Sequence, residues 1–180
     1  MEVMTRVEPE AADAPPVDGV CVQLGAGKYG RPDWITVDRI AFPGITKVAD
    51  LNERWPFEDD SVDFIDASHI LEHLTSIIHS MNEAWRVLKV GGVIDIIVPS
   101  TDGRGAFQDP THITFWNKNS FLYYSQNTPE YRTLYPEIKC SFRIRVGDTA
   151  PSSDKIVFTR AVCMKVPLDD AIEMVREDPA

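Results

Sequence analysis

The sequence has 180 residues, 43% hydrophobic and 26% charged, a balance that fits one globular domain with a core of its own. No apolar run reaches the length of about 18 residues that a membrane-spanning helix needs. A formal charge of −10, with no cluster of Lys and Arg, argues against a nucleic-acid partner and for a small-molecule substrate.

The segment Met1–Asp18 is acidic and rich in Pro and Ala. It lacks the apolar core of a signal peptide and reads as a mobile tail. Val20–Leu24 is a short apolar run that ends at Gly25-Ala26-Gly27. Ile35-Thr36-Val37 ends at Asp38, Lys47-Val48-Ala49 at Asp50, Val62–Ala67 at Ser68-His69, and Val93–Val98 at Pro99. Each run is strand-length, β-branched and bounded by turn residues. Several are continuously apolar, as in parallel strands covered on both faces.

Between the fourth and fifth runs Ile70, Leu71, Leu74, Ile77, Ile78, Met81, Trp85 and Leu88 recur at helical spacing, a stripe closed by Gly91-Gly92. The connection Lys28–Trp34 is too short for a full crossover helix. Ser100–Glu137 is rich in Gly, Pro and Asn and holds eight of the seventeen Phe, Trp and Tyr residues. Ile138–Val146 and Lys155–Val166 read as an antiparallel pair, since the turn Gly147–Asp154 is too short for a parallel crossover. Leu168–Arg176 reads as a short acidic helix. The fold class expected is α/β, a Rossmann-like doubly wound sheet of five parallel strands with a C-terminal antiparallel pair. One domain over 19–167 is expected between the N-terminal tail and an acidic tail over 168–180, with 100–136 covering the substrate side.

Cys21, Cys140 and Cys163 are few and odd in number. Buried thiols in a reducing compartment, the cytoplasm, are expected, not a disulfide framework or a zinc site.

Ligands of open parallel sheets bind beyond the carboxyl ends of the strands. Gly25-Ala26-Gly27, Asp38, Asp50 and Ser68-His69 all fall there. Glycine allows a close approach of backbone to ligand, and a carboxylate ending the second strand accepts ribose hydroxyls. A Gly-x-Gly alone is equally a turn; the aligned set says more.

These residues resemble a known family. Gln23-Leu24-Gly25-Ala26-Gly27 with Trp34–Asp38, Ala49-Asp50-Leu51, Trp55–Asp63, Ser68–Leu74 and Trp85–Gly92 look like the ordered motifs of class I S-adenosylmethionine-dependent methyltransferases, in their small type 11-like form. The resemblance covers Val20 to Pro99 and, more loosely, the terminal strand pair. It implies the seven-stranded architecture of that family and S-adenosyl-L-methionine as cofactor. Gly25, Ala26 and Gly27 would lie against the methionine portion, Asp38 with Arg39 at the ribose, Asp50 and Leu51 at the adenine. Ala67, Ser68 and His69 would face the cofactor's amino group. Gln23 stands where the family carries an acidic residue, and Arg31 would assist the cofactor's carboxylate.

In such an enzyme the protein aligns an acceptor with the sulfonium methyl and manages a proton. Asp109-Pro110-Thr111-His112 is a fixed turn that presents His112 either as general base or as a pin for the loop. His69 is the second candidate for catalysis. His73 reads as a packing histidine, and the His69–His73 spacing lacks the His-Glu-x-x-His pattern, so no metal is expected. The function expected is methyl transfer to a small-molecule acceptor. A cofactor-binding module without turnover stays open, motivated by Gln23. An NAD-type oxidoreductase also stays open, since Gly30 completes a Gly-x-Gly-x-x-Gly.

Overall fold

The computed structural model describes residues 14–16, 18–149, 151, 152 and 154–168. The tail expected over 1–18 and the acidic helix over 168–176 lie almost wholly outside these residues. Seven strands form one sheet: β1 (Cys21–Leu24), β2 (Ile35–Asp38), β3 (Lys47–Val48), β4 (Val62–Ser68), β5 (Leu88–Pro99), β6 (Phe142–Asp148) and β7 (Phe158–Lys165). Their order is β3-β2-β1-β4-β5-β7-β6. The first five are parallel, and β7 runs antiparallel to both β5 and β6, as the turn length requires. The strand order runs outward from β1 in opposite directions, through β2 on one side and β4 on the other. The crevice at the carboxyl ends of β1, β2 and β4 is therefore where such sheets hold ligands.

Side chains alternate across each strand. Val22, Leu24, Ile65, Ala67, Ile94, Ile96 and Val98 join one core cluster with Met81, Ala84 and Val87 of helix α1 (Ile77–Val87). Burying a Met or Val of this kind stabilises by about 1.5–3 kcal/mol. The opposite face carries a small cluster of Cys21, Phe64, Val93 and Val162, with Trp34 and Met164 against it. Polar pairs complete that face: Arg160 holds Asp95 through two bonds of 2.9 and 2.8 Å, and Arg31 reaches Asp66 at 2.8 Å.

Element boundaries move for identifiable reasons. The helical stripe from Ile70 divides into a 3₁₀ turn at Leu71–His73 and α1, because Leu74 is extended and Ser76 caps α1 by accepting from the His79 N–H at 3.1 Å. The helix stops at Val87, where Leu88 turns extended, and β5 starts there, ahead of the Gly91-Gly92 stop. β6 begins at Phe142 and not at Ile138, because Ile138 and Cys140 drop into the main core and Asn82 receives the Lys139 N–H at 2.9 Å. Residues 25–34 form no helix. Tyr29 N–H bonds to the Ala26 carbonyl, the Arg31 N–H bonds to Gln23 Oε1 at 2.9 Å, and the Arg31 guanidinium lies over Trp34.

All three cysteines are free and buried. Burial pushes the Cys140 and Cys163 thiols well above the usual range, which leaves them inert.

Candidate active site

Beyond the carboxyl ends of β1 and β2 lies a cavity of about 460 Å³. It is lined by Gly25, Asp38, Arg39, Ala49, Asp50, Leu51, Asn52, Ile70, His73, Leu74, Thr111 and Ile113. Its size is that of a small-molecule or cofactor site.

Five of the expected cofactor residues therefore meet the cavity: Gly25, Asp38, Arg39, Asp50 and Leu51. Ala26 and Ala67 are buried in the protein beside it, and Gly27, Ser68 and His69 stand outside its lining. Gly25 has φ +62, and an added Cβ would come within 2.7 Å of the Ile70 side chain. The constraint there is packing against Ile70 together with a left-handed backbone. Gly25→Ala is expected to cost about 2 kcal/mol or more, from the left-handed penalty plus overpacking. Thermal denaturation checks this, and adding Ile70→Ala should recover part of the loss, because the two side chains then no longer compete for one space.

Asp38 does two jobs. Its Oδ2 accepts the Gly27 N–H at 2.8 Å and its Oδ1 the Ile40 N–H at 2.9 Å. A carboxylate has about four acceptor positions, so two remain for a ligand. Asp50 Oδ1 accepts both the backbone and the side-chain N–H of Asn52 at 2.9 Å. Asn52 Oδ1 in turn accepts the Thr75 N–H at 2.8 Å and its hydroxyl at 2.9 Å, which ties this turn to the start of α1. Leu51 is held from behind, where its carbonyl accepts the Trp55 indole N–H at 3.0 Å.

The far wall comes from the segment after β5. Asp109 Oδ1 accepts the Thr111 N–H at 2.8 Å and the Thr111 hydroxyl at 2.6 Å, closing the expected turn. Those bonds hold the Asp109 carboxyl below the usual carboxylate range. The Ile113 and Thr114 N–H groups both bond to the Glu72 carbonyl, and the Thr114 hydroxyl to the Leu71 carbonyl, so the loop docks on the 3₁₀ turn. The aromatic residues of this segment divide between core and surface. Trp116, Phe121 and Tyr124 are core, Phe107 stacks on Phe115 at the surface, and Thr111 and Ile113 are the residues that reach the cavity.

The histidines sort clearly. His69 has φ +57, is 51% exposed at its side chain and lies edge-on to Phe158. His112 is 8% exposed at its side chain and packs edge-on against His73, with ring centroids 4.9 Å apart. His73 is the histidine on the cavity wall. Its Nδ1 lies 3.1 Å from the Thr111 carbonyl, and His112 Nδ1 lies 3.1 Å from the Ala106 carbonyl. A carbonyl only accepts, so each neutral ring carries its proton on Nδ1 and keeps the lone pair on Nε2. The reading of the sequence missed His73, Asn52 and Ile70. The signals for Asn52 and Ile70 were their positions directly beside Leu51 and His69, whereas the sequence reads His73 as a packing histidine.

Residues 34–96 match the family model described as a methyltransferase domain. No curated protein matches the chain. Among solved structures, an S-adenosylmethionine-dependent methyltransferase from Archaeoglobus fulgidus superposes with a TM-score of 0.60 at 14% identity, over 81% of this chain and 85% of that one. The chain has the fold of the class I methyltransferases. Burkholderia thailandensis 1,6-didemethyltoxoflavin-N1-methyltransferase, solved with bound 1,6-didemethyltoxoflavin and S-adenosylhomocysteine, gives a TM-score of 0.59 at 13% identity, over 83% of this chain and 72% of that one. The Haemonchus contortus phosphoethanolamine N-methyltransferase 2 complex with S-adenosylhomocysteine gives 0.59 at 14% identity, over 86% of this chain and 51% of that one.

S-adenosylmethionine is the cofactor that goes with this methyltransferase domain. The residues present fit it: two carboxylates with spare acceptor positions, Asp38 and Asp50, open into one cavity large enough for a nucleoside. The Gly25–Gly30 glycines do not fit a dinucleotide pyrophosphate, which takes its place at the N-terminus of a helix that the turn opens. Gln23, at the family's acidic position, is spent on holding the shortened loop through the Arg31 N–H. Arg31 itself points to Asp66 on the opposite sheet face, away from the role expected of it toward the cofactor's carboxylate. No helix among the described residues is long and apolar enough to cross a membrane.

Proposed function

We propose that this methyltransferase domain transfers the methyl group of S-adenosylmethionine to a heteroatom of a small-molecule acceptor, with the 460 Å³ cavity as the site. The observation that carries the reading is the convergence of Asp38 and Asp50 on that cavity within a methyltransferase fold. When bound, the cofactor supplies an electrophilic sulfonium methyl, so the organic chemistry is its own. Asp38 would accept the ribose hydroxyls with its free lone pairs, and Asp50 with Leu51 would hold the adenine. Arg39 also lines the cavity and adds a cation to a wall that carries two carboxylates. Thr111 and Ile113 narrow the far side and limit water. An acceptor entering there meets His73, whose Nε2 lone pair takes its proton, while His112 packs against the His73 ring and holds it in place. A net charge of −10 favours a neutral or cationic acceptor over a polyanion. The three buried thiols agree with a reducing compartment, which we take to be the cytoplasm.

Calorimetry with S-adenosylmethionine, S-adenosylhomocysteine and NAD tests this. The expected result is binding of the first two and no measurable binding of NAD; the reverse order would overturn the assignment. Asp38→Ala should weaken binding by more than the roughly 1.5–3 kcal/mol of one charge-assisted bond, because it also releases the Gly27 and Ile40 N–H groups that shape the loop.

A further inference from the structure

Among the described residues, Glu72 Oε2 is the buried side-chain polar atom that finds no hydrogen-bond partner. The Glu72 side chain is only 3% exposed, and its other oxygen, Oε1, lies 3.6 Å from His69 Nδ1, beyond hydrogen-bond reach. A buried carboxylate oxygen without a partner is costly, and such an atom in a folded protein calls for an explanation. Donor atoms of Glu72, His73 and His112 all lie within 4.8 Å of one another. We propose that these three side chains form a site for a divalent first-row transition cation of the zinc class.

The surroundings are those of a metal site. Each imidazole donates Nδ1–H to a main-chain carbonyl, Thr111 for His73 and Ala106 for His112, leaving Nε2 as the lone pair. Such carbonyl partners fix the tautomer and orientation of metal-binding histidines. The two halves of the site come from different segments, and the pairing of the Ile113 and Thr114 N–H groups with the Glu72 carbonyl locks one half on the other. Two imidazoles and a carboxylate suit Zn²⁺, Fe²⁺ or Co²⁺ better than the oxygen-seeking Mg²⁺ or Ca²⁺. Bonds of about 2.0–2.2 Å in a tetrahedral site set donors about 3.4 Å apart, so closing from the 4.8 Å limit takes about 1 Å of side-chain rotation.

Three protein donors leave a position on a four-coordinate cation for water or an acceptor heteroatom, the arrangement of open sites. His73 also lines the proposed methyl-transfer cavity. The cation would therefore sit where an acceptor binds. With it bound, the His73 Nε2 lone pair is a metal donor and no longer a base, so the acceptor heteroatom would instead be activated by the cation. That catalytic meaning rests on the methyltransferase reading, whereas cation binding itself does not. The site was invisible to sequence spacing because His112 belongs to a loop that reaches Glu72 and His73 only in the folded chain.

The full chain, purified without a metal-affinity tag, stripped with a chelator and dialysed, is titrated with Zn²⁺ by calorimetry and with Co²⁺ by visible absorption. The expected result is one equivalent of Zn²⁺ and an intense ligand-field band from Co²⁺. Glu72→Gln, His73→Ala and His112→Ala should each weaken uptake at least 10-fold. His79→Ala should not, since that ring bonds to the Glu53 carbonyl elsewhere. Should a variant fail to fold, proton NMR of the unmodified Co²⁺ protein decides: two histidine rings shifted by the paramagnetic ion support the site, none overturns it. Uptake that is unchanged in all three variants also overturns it. S-adenosylhomocysteine titrated into the stripped chain separates the two proposals. Binding without Zn²⁺ uptake sinks the cation site and leaves the cofactor site standing; Zn²⁺ uptake without S-adenosylhomocysteine binding does the reverse.

Discussion

Arg86→Met is expected to destabilise the fold by about 3 kcal/mol, the lower end of what breaking a buried ion pair costs. The reason is how many groups one guanidinium satisfies. Arg86 bonds to both Glu83 oxygens at 2.8 and 2.7 Å, to the Trp55 and Phe57 carbonyls at 3.1 and 2.8 Å, and to Asp59 at 2.6 Å. Glu83 Oε2 also accepts the Trp55 N–H at 2.7 Å. The side chains of Arg86 and Glu83 are 14% and 12% exposed. Methionine would therefore leave the Glu83 carboxylate without a counter-charge, held only by the Trp55 N–H, and would take the Arg86 donor from the Phe57 carbonyl. In a chain of this size such a loss lowers Tm by about 6–12 °C. Urea denaturation of both proteins measures it. The damage should reach the cavity, because Trp55 also bonds to the carbonyl of Leu51, which lines it.

The same cluster makes stability depend on pH. Burial pushes the Glu83 carboxyl up, but the Arg86 hydrogen bonds and the Trp55 N–H outweigh burial, and the net shift is downward. A carboxyl lowered on folding contributes stability that is fully present above its unfolded value of about 4.3 and is lost as pH falls through the folded value. The stability gap between the unmodified chain and Glu83→Gln should therefore narrow in acid.

The sequence made the strand-end residues legible and left the side-chain clusters dark, for a physical reason. Asp38 and Asp50 end apolar runs, and a parallel sheet turns that one-dimensional position into a three-dimensional one. The missing first helix was equally visible, since Lys28–Trp34 is too short to cross the sheet. What replaces it was not: the Gln23–Arg31 bond and the Arg31–Asp66 pair join residues that no periodicity relates. The aromatic run after β5 suggested a substrate cover, yet composition cannot say which faces turn inward. Trp116 and Phe121 go to the core, and Thr111 and Ile113 of the same segment meet the cavity. The Glu83–Arg86 pair left one signal, opposite charges three apart on a helix, but that spacing is common on exposed helices. Its burial comes from the Trp55–Asp59 segment folding over it.

His73→Gln is expected to slow methyl transfer by about 10²–10⁴-fold, the range for removing a positioned acid–base group. Glutamine offers an amide in place of an imidazole, so the Thr111 carbonyl keeps a donor while the Nε2 lone pair is lost. S-adenosylhomocysteine affinity should stay within a few-fold, because Asp38 and Asp50 line other parts of the cavity. The loss should fall on kcat, since a proton taken in the transition state does not set acceptor binding. His112→Gln separates the partners. If His112 only holds the His73 ring through their 4.9 Å contact, its loss should blunt kcat by less than the loss of His73. Equal losses from both variants, with activity abolished by chelation and restored by Zn²⁺, would instead mean that the two imidazoles act through a shared cation. Turnover unchanged in both would remove this wall of the cavity from the chemistry and leave exposed His69, held at φ +57 beside Glu72, as the remaining histidine near the strand ends.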